Sequence, residues 1–99
     1  MANKRIIWST RASIELRQIL DYFNQRNKSN RYSIRLLKEI EYLTNQLSKN
    51  ELIGRLTSNK DIRVISMKVY LIFYEILPDQ IQIVSFWDNR QDMNKRNIF

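Results

Sequence analysis

Apolar residues recur every third or fourth position through the first half of the chain, then alternate or run together through the second. Ile6-Ile7-Trp8 is a short run of strand-forming residues. Ser9 or Thr10 follows, and a hydroxyl there can accept from an orphan N–H in the first turn of a helix. Ala12, Leu16, Ile19, Leu20 and Phe23 then form one stripe of a 3.6-residue period. Ile14 lies off that stripe, facing solvent or a partner. A polar link over 24–30 ends this helix, with Ser29 or Asn30 as the cap of the next. Tyr32, Leu36, Ile40, Leu43 and Leu47 carry the second stripe, widened by Leu37, while Arg31, Arg35, Lys38, Glu39 and Glu41 mark the wet face. Adjacent helices with a short polar link predict an antiparallel helical hairpin.

The period then changes to two. Ile62 to Ile65 reads as a strand. Val69 to Leu77 reads as a second, with Tyr70, Ile72, Tyr74 and Ile76 on one face and Val69, Leu71, Phe73 and Glu75 on the other. Pro78-Asp79-Gln80 predicts a turn, and Ile81 to Trp87 the return strand. The tail from Asp88 to Phe99 reads as a short helix or a flexible end. The expectation is an α+β fold: an N-terminal strand and an antiparallel helical hairpin packed on a C-terminal antiparallel three-stranded sheet. The sheet face away from the helices should be open, and a ligand would sit there. With 99 residues, one Gly and one Pro, the whole of 1–99 reads as a single domain without linkers or repeats.

Composition removes most catalytic chemistry. The chain has no cysteine and no histidine, so thiolate metal sites, disulfides, a Cys nucleophile and the commonest general base are excluded. No metal site and no cofactor are expected. A lone glycine rules out a Gly-rich phosphate loop. Asp88 and Asp92, four apart in a polar tail, read as solvated carboxylates rather than a Mg²⁺ pair. No apolar run approaches the roughly 20 residues of a membrane span, nor does the N-terminus hold a signal-peptide core. A cytoplasmic protein without membrane contact is expected.

Charge is what remains. Seventeen Lys+Arg against ten Asp+Glu give +7, which favours an acidic partner or nucleic acid. Residues 1–49 hold ten basic and four acidic side chains, a balance of +6; residues 50–99 hold seven and six, a balance of +1. The excess therefore lies with the helical hairpin. On the sheet side the candidate cations are Arg55, Lys60, Arg63, Lys68 and Arg90, with Lys95 and Arg96 in the tail. Arg63, between Ile62 and Val64, points to the face opposite theirs. A strand-centre cation must be paired, for instance with Glu75, or at work. If Arg63 and Arg90 share the open face, their guanidinium groups form a fork suited to phosphate. Tyr74 and Tyr70 read first as core aromatics, and second as stacking platforms for bases.

The arrangement resembles the RelE/ParE superfamily of toxins from bacterial type II toxin–antitoxin modules. The resemblance spans nearly the whole chain. It rests on Trp8, then Ala12, Leu16, Ile19 and Tyr22 in the first helix, Ser29-Asn30-Arg31-Tyr32 opening the second, and Gly54-Arg55 after it. Arg63, Tyr70-Leu71-Ile72-Phe73-Tyr74, Ile81-Gln82-Ile83 and Trp87-Asp88-Asn89-Arg90 complete it. It implies a toxin neutralised by a cognate acidic antitoxin that wraps it. Two targets follow from it. RelE-like members cut messenger RNA in the ribosome; ParE-like members inhibit DNA gyrase without nuclease chemistry. A domain that has lost activity and only binds a partner is a third reading. For a ribosome-dependent mRNA endonuclease, Arg63 and Arg90 match the basic residues of cleaving members, with Lys60 or Lys68 as a base if burial lowered its pKa. Arg55, Lys68, Tyr74, Lys95 and Arg96 would then bind RNA. Ile14 and Ile34, off the core stripes, would bind a partner protein. Two departures stand out. Cleaving members carry a tyrosine or histidine near the C-terminus, where this chain has Met93, Asn94, Ile98 and Phe99. Leu52-Ile53 stands where a proline usually precedes the Gly-Arg pair.

Overall fold

The structure is a computed structural model and describes residues 3–90. Its elements are β1 (Arg5–Trp8), α1 (Thr10–Asn27), α2 (Arg31–Lys49), β2 (Arg55–Leu56), β3 (Ile62–Met67), β4 (Tyr70–Ile76) and β5 (Gln80–Asp88). The α+β order read from the pattern is present. The three antiparallel strands β3, β4 and β5 gain two neighbours, giving one mixed five-stranded sheet in the order β1-β5-β4-β3-β2. β1 runs parallel to β5, placing Trp8 opposite Ile83. β2 is a two-residue edge strand against Arg63 and Val64, too short to leave a periodic signal.

Local chemistry sets the element ends. The Ser9 hydroxyl accepts from the Ala12 N–H at 3.0 Å and caps α1. Lys28 closes α1 in a left-handed conformation, φ 50°. Asn30 precedes α2 without a side-chain cap, while the Ser29 hydroxyl accepts from the Arg31 N–H at 3.2 Å. Between the helices the buried Ser33 hydroxyl donates to Asn24 Oδ1 at 2.6 Å, fixing the hairpin. Val69 belongs to the β3–β4 turn rather than to the strand, and Lys68 beside it takes φ 57°.

The helices cover one face of the sheet. Ala12, Ile19, Leu36, Ile40 and Leu47 pack on Tyr70, Ile72, Tyr74, Ile81, Ile83 and Phe86. Removing each large side chain of this set from water stabilises the fold by roughly 1.5–3 kcal/mol. Leu37 does not join them: it is 43% exposed, because the helical stripe is narrower than its apolar residues. The second face is not the bare surface that the alternation suggests. Ile62, Val64, Leu71, Phe73 and Trp87 form a second apolar cluster there, each at most 9% exposed. That face is apolar and packed, so it does not offer an open ligand seat.

One irregularity sets which residues reach the helices. Tyr74 faces Ile83 but Phe73 faces Ser85, so Val84 is an extra residue in β5. The bulge shifts the alternation by one. Before it, Ile81 and Ile83 lie on the helix face; beyond it, Phe86 and Asp88 pair with Ile72 and Tyr70 on that face.

Candidate functional site

The cations singled out in the sheet occupy two separate places. Arg63 stands opposite Tyr74 on the helix side of β3. Its Nη1 donates to the Gly54 carbonyl at 2.7 Å. Glu75 is opposite Ile62, one step out of phase, and so belongs to the other face. The Gly54 N–H in turn donates to the Tyr74 hydroxyl at 2.9 Å, and that hydroxyl donates to the Glu51 carbonyl at 2.8 Å. Arg63 and Tyr74 together thus staple the α2–β2 connection to the sheet. Tyr74 has no exposed surface, so it offers no face to a base, and burial pushes its hydroxyl pKa up.

Arg90 lies at the far end. It follows β5, where Asp88 holds it in a two-pronged ion pair: Nε to Oδ1 at 3.0 Å and Nη2 to Oδ2 at 2.7 Å. The guanidinium hydrogen bonds lower the Asp88 pKa below its ordinary value and raise that of Arg90. Beside them, Tyr70 is buried and its hydroxyl shares a 2.5 Å hydrogen bond with that of Tyr32. Burial, then the Tyr32 contact, raises the Tyr70 pKa well above the usual tyrosine value.

Arg63 and Arg90 therefore do not converge. Asp88 is opposite Tyr70 and Arg63 is opposite Tyr74, on strands that flank β4. Four residues along β4 and two strand spacings across separate these positions by about 16 Å, and Arg90 lies further out still. Both cations sit on the helix side rather than on the second face. The fork that a shared open face would have allowed is absent, because the two positions lie too far apart and each guanidinium is hydrogen-bonded to a neighbour.

The other candidates scatter. Lys60 and Arg55 are exposed around the β2–β3 turn. The Lys68 ammonium pairs with Glu39 Oε1 at 2.6 Å, tying the β3–β4 turn to α2. Lys95, Arg96 and Asp92 lie outside the described residues. Among those described, no group of three or more acidic side chains gathers to hold a metal. No helix in them is long and apolar enough to cross a membrane.

The helical hairpin presents the wider apolar surface. Ile14 and Ile34 are 50% and 45% exposed, as their off-stripe positions require. They do not form one patch. The groove between α1 and α2 is lined instead by Leu16, Arg17, Leu20, Leu37, Ile40 and Glu41, among others. It holds about 590 Å³. Ile34 lies one turn before Leu37 along α2 and Ile14 lies next to Ser13 on α1, but neither lines the groove itself.

Sequence reasoning passed over Glu15. β1 pairs only with Gln80 to Ile83, so the rest of β5 lacks a strand on that side. Glu15 fills the gap: its Oε1 accepts from the Phe86 N–H at 3.1 Å and from the Ser85 hydroxyl at 2.8 Å. An acidic residue one turn inside a helix, on the same side as the core stripe, was the available signal.

Comparison with known proteins fits this geometry. A search of curated proteins finds no match. Among solved structures, a chain of the chromosomal ParDE toxin–antitoxin system from P. aeruginosa superposes with a TM-score of 0.71, covering 84% of this chain and 92% of that one. The two are 16% identical, so the likeness is one of fold. The family model of the ParE toxin of the type II toxin–antitoxin system parDE matches residues 6–93, and the chain therefore belongs to the ParE toxin family.

Proposed function

We propose that this type II toxin acts by binding DNA gyrase rather than by cutting messenger RNA, and that a cognate acidic antitoxin holds it silent in the cytoplasm. The separation of Arg63 from Arg90 carries this reading. Cleaving RNA at its 2′-hydroxyl requires a base, an acid and a charge stabiliser focused on one phosphate. Here the two arginines are more than about 16 Å apart and each is hydrogen-bonded to a neighbour. The chain has no histidine, and its shifted tyrosines move away from neutral pH. Those properties suit a protein that acts by its surface.

The antitoxin reading rests on the helical hairpin. An apolar groove edged by Arg17, with exposed Ile34 one turn from Leu37, fits an amphipathic segment that folds as it binds, and the +7 charge favours an acidic one. Ile14 would lie at the margin of that contact.

The test is a supercoiling assay with purified gyrase, run with and without the product of the neighbouring gene. Loss of supercoiling that the antitoxin restores is expected. In parallel, cell-free translation followed by primer extension should show an intact message. Discrete ribosome-dependent cuts would overturn the proposal in favour of the nuclease, with Arg63, Arg90 and Lys60 as the first substitutions. Normal supercoiling with an intact message would leave a domain that only binds its partner.

A further inference from the structure

Between α1 and the end of β5 lies a cleft of about 440 Å³, lined in part by Gln18, Tyr22, Arg26, Asp88 and Arg90. It has the parts of a single-strand binding site. Tyr22 is 56% exposed and its hydroxyl accepts from Arg26 Nη1 at 3.3 Å. Its ring is braced edge-on by Phe23, centroids 5.0 Å apart. A fixed, exposed aromatic ring beside guanidinium groups is the combination that stacks bases and holds phosphates without regard to sequence.

One feature blocks it. The Asp88 carboxylate meets Arg90 through Nε and Nη2, the same two-pronged geometry that a guanidinium offers a phosphate. Asp88 also accepts from the Arg90 backbone N–H at 2.9 Å, so the turn itself delivers the carboxylate to the guanidinium. A tethered anion two residues away acts at an effective concentration of about millimolar or more. A free phosphodiester must displace it. The guanidinium side chain is 57% exposed while the carboxylate is 11% exposed, so the cation faces the cleft with its anion seat already filled.

We propose that Asp88 is a built-in anion that keeps this cleft from binding single-stranded RNA, so that loss of its charge alone would create an RNA-binding site centred on Arg90. The inference rests on the gyrase reading, in which the toxin has no use for RNA. It deepens that reading by naming the residue that excludes the polyanion a +7 surface would otherwise attract. The reciprocal pKa shifts of Asp88 and Arg90 agree with a tight pair.

The test measures binding of a fluorescein-labelled twelve-nucleotide oligouridine by anisotropy at low salt. It compares the full wild-type chain with Asp88→Asn, Asp79→Asn and Asp88→Asn/Arg90→Gln. Asp79 is exposed in the β4–β5 turn at the opposite end of β5, so its substitution adds the same charge elsewhere. Asn at 88 keeps an oxygen for the Arg90 N–H. Asp88→Ser keeps a shorter one and serves if the first variant does not fold. Asp88→Asn should tighten binding about 10-fold, and log K should fall more steeply with log salt by about one phosphate contact. Asp79→Asn should change affinity by less than about 3-fold, and Arg90→Gln should erase the gain. An Asp88 variant that binds no better than Asp79→Asn would overturn the proposal, as would a gain that survives Arg90→Gln. Because only RNA is measured, failure here is distinct from failure of the supercoiling assay.

Discussion

Replacing Gly54 with alanine should destabilise the fold by about 3–5 kcal/mol. A Cβ at this position would lie 2.6 Å from the Tyr74 hydroxyl oxygen, 2.7 Å from its Cε1 and 2.9 Å from the Val64 carbonyl oxygen. Tyr74 is fully buried and the third atom is backbone, so nothing near the clash is free to yield. Forcing a methyl into such packing costs about 1–3 kcal/mol. Moving the ring also breaks the hydroxyl's bonds to the Gly54 N–H and the Glu51 carbonyl, at about 1 kcal/mol each. Against a total stability of about 5–15 kcal/mol the variant would be marginal. Urea unfolding followed by the fluorescence of Trp8 and Trp87 measures the loss; at a slope of about 1–3 kcal/mol per molar, the midpoint should fall by at least about 1 M. Tyr74→Phe should cost about 1–3 kcal/mol, since it leaves the Gly54 N–H and the Glu51 carbonyl unpaired. The double variant should cost at least about 1 kcal/mol less than the sum, because the two share the same contacts. A Gly54→Ala cost below about 1 kcal/mol, or additivity within about 0.5 kcal/mol, would refute the staple.

Three further outcomes follow from named contacts. Glu15→Ala should lose about 1–3 kcal/mol by orphaning the Phe86 N–H and the buried Ser85 hydroxyl; Glu15→Gln keeps the accepting oxygen and should lose less than half as much by the same urea titration. Lys28→Gly should raise stability by about 1 kcal/mol, since a left-handed helix end penalises any residue with a Cβ; a lower urea midpoint would contradict this. The raised pKa of Tyr70 and Tyr74 gives stability that is complete below the unfolded tyrosine value near 10 and is lost as pH rises above it. Absorbance of tyrosinate should therefore show these two of the five tyrosines ionising only as the circular-dichroism signal of folding disappears.

Much of the molecule was legible from residue order because its signals are local. The 3.6-residue stripes of Ala12 to Phe23 and Tyr32 to Leu47 define α1 and α2, since a helix contains its own hydrogen bonds and needs only one apolar side. Ser9 announces a cap because the N–H it accepts from lies three residues on. The alternation of Tyr70, Ile72 and Tyr74 marks β4 and its helix-facing side for the same reason: pleating puts every second side chain on one face. Lack of histidine and cysteine and the +7 charge narrow the chemistry by composition alone.

What only the tertiary structure decided depends on partners distant in the chain. β2 exists because β3 pairs with it, and two residues carry no period of their own. The extra residue at Val84 is invisible in an apolar run, yet it reverses the alternation and turns Asp88 toward Tyr70 and the cleft. The alternation placed Arg63 on the correct face but was silent on Gly54, nine residues away, whose carbonyl occupies it. The same blindness hid the missing half-strand beside β5 that Glu15 completes. Residue types state which groups are available; the assembled sheet and the helical hairpin determine which of them remain free to act.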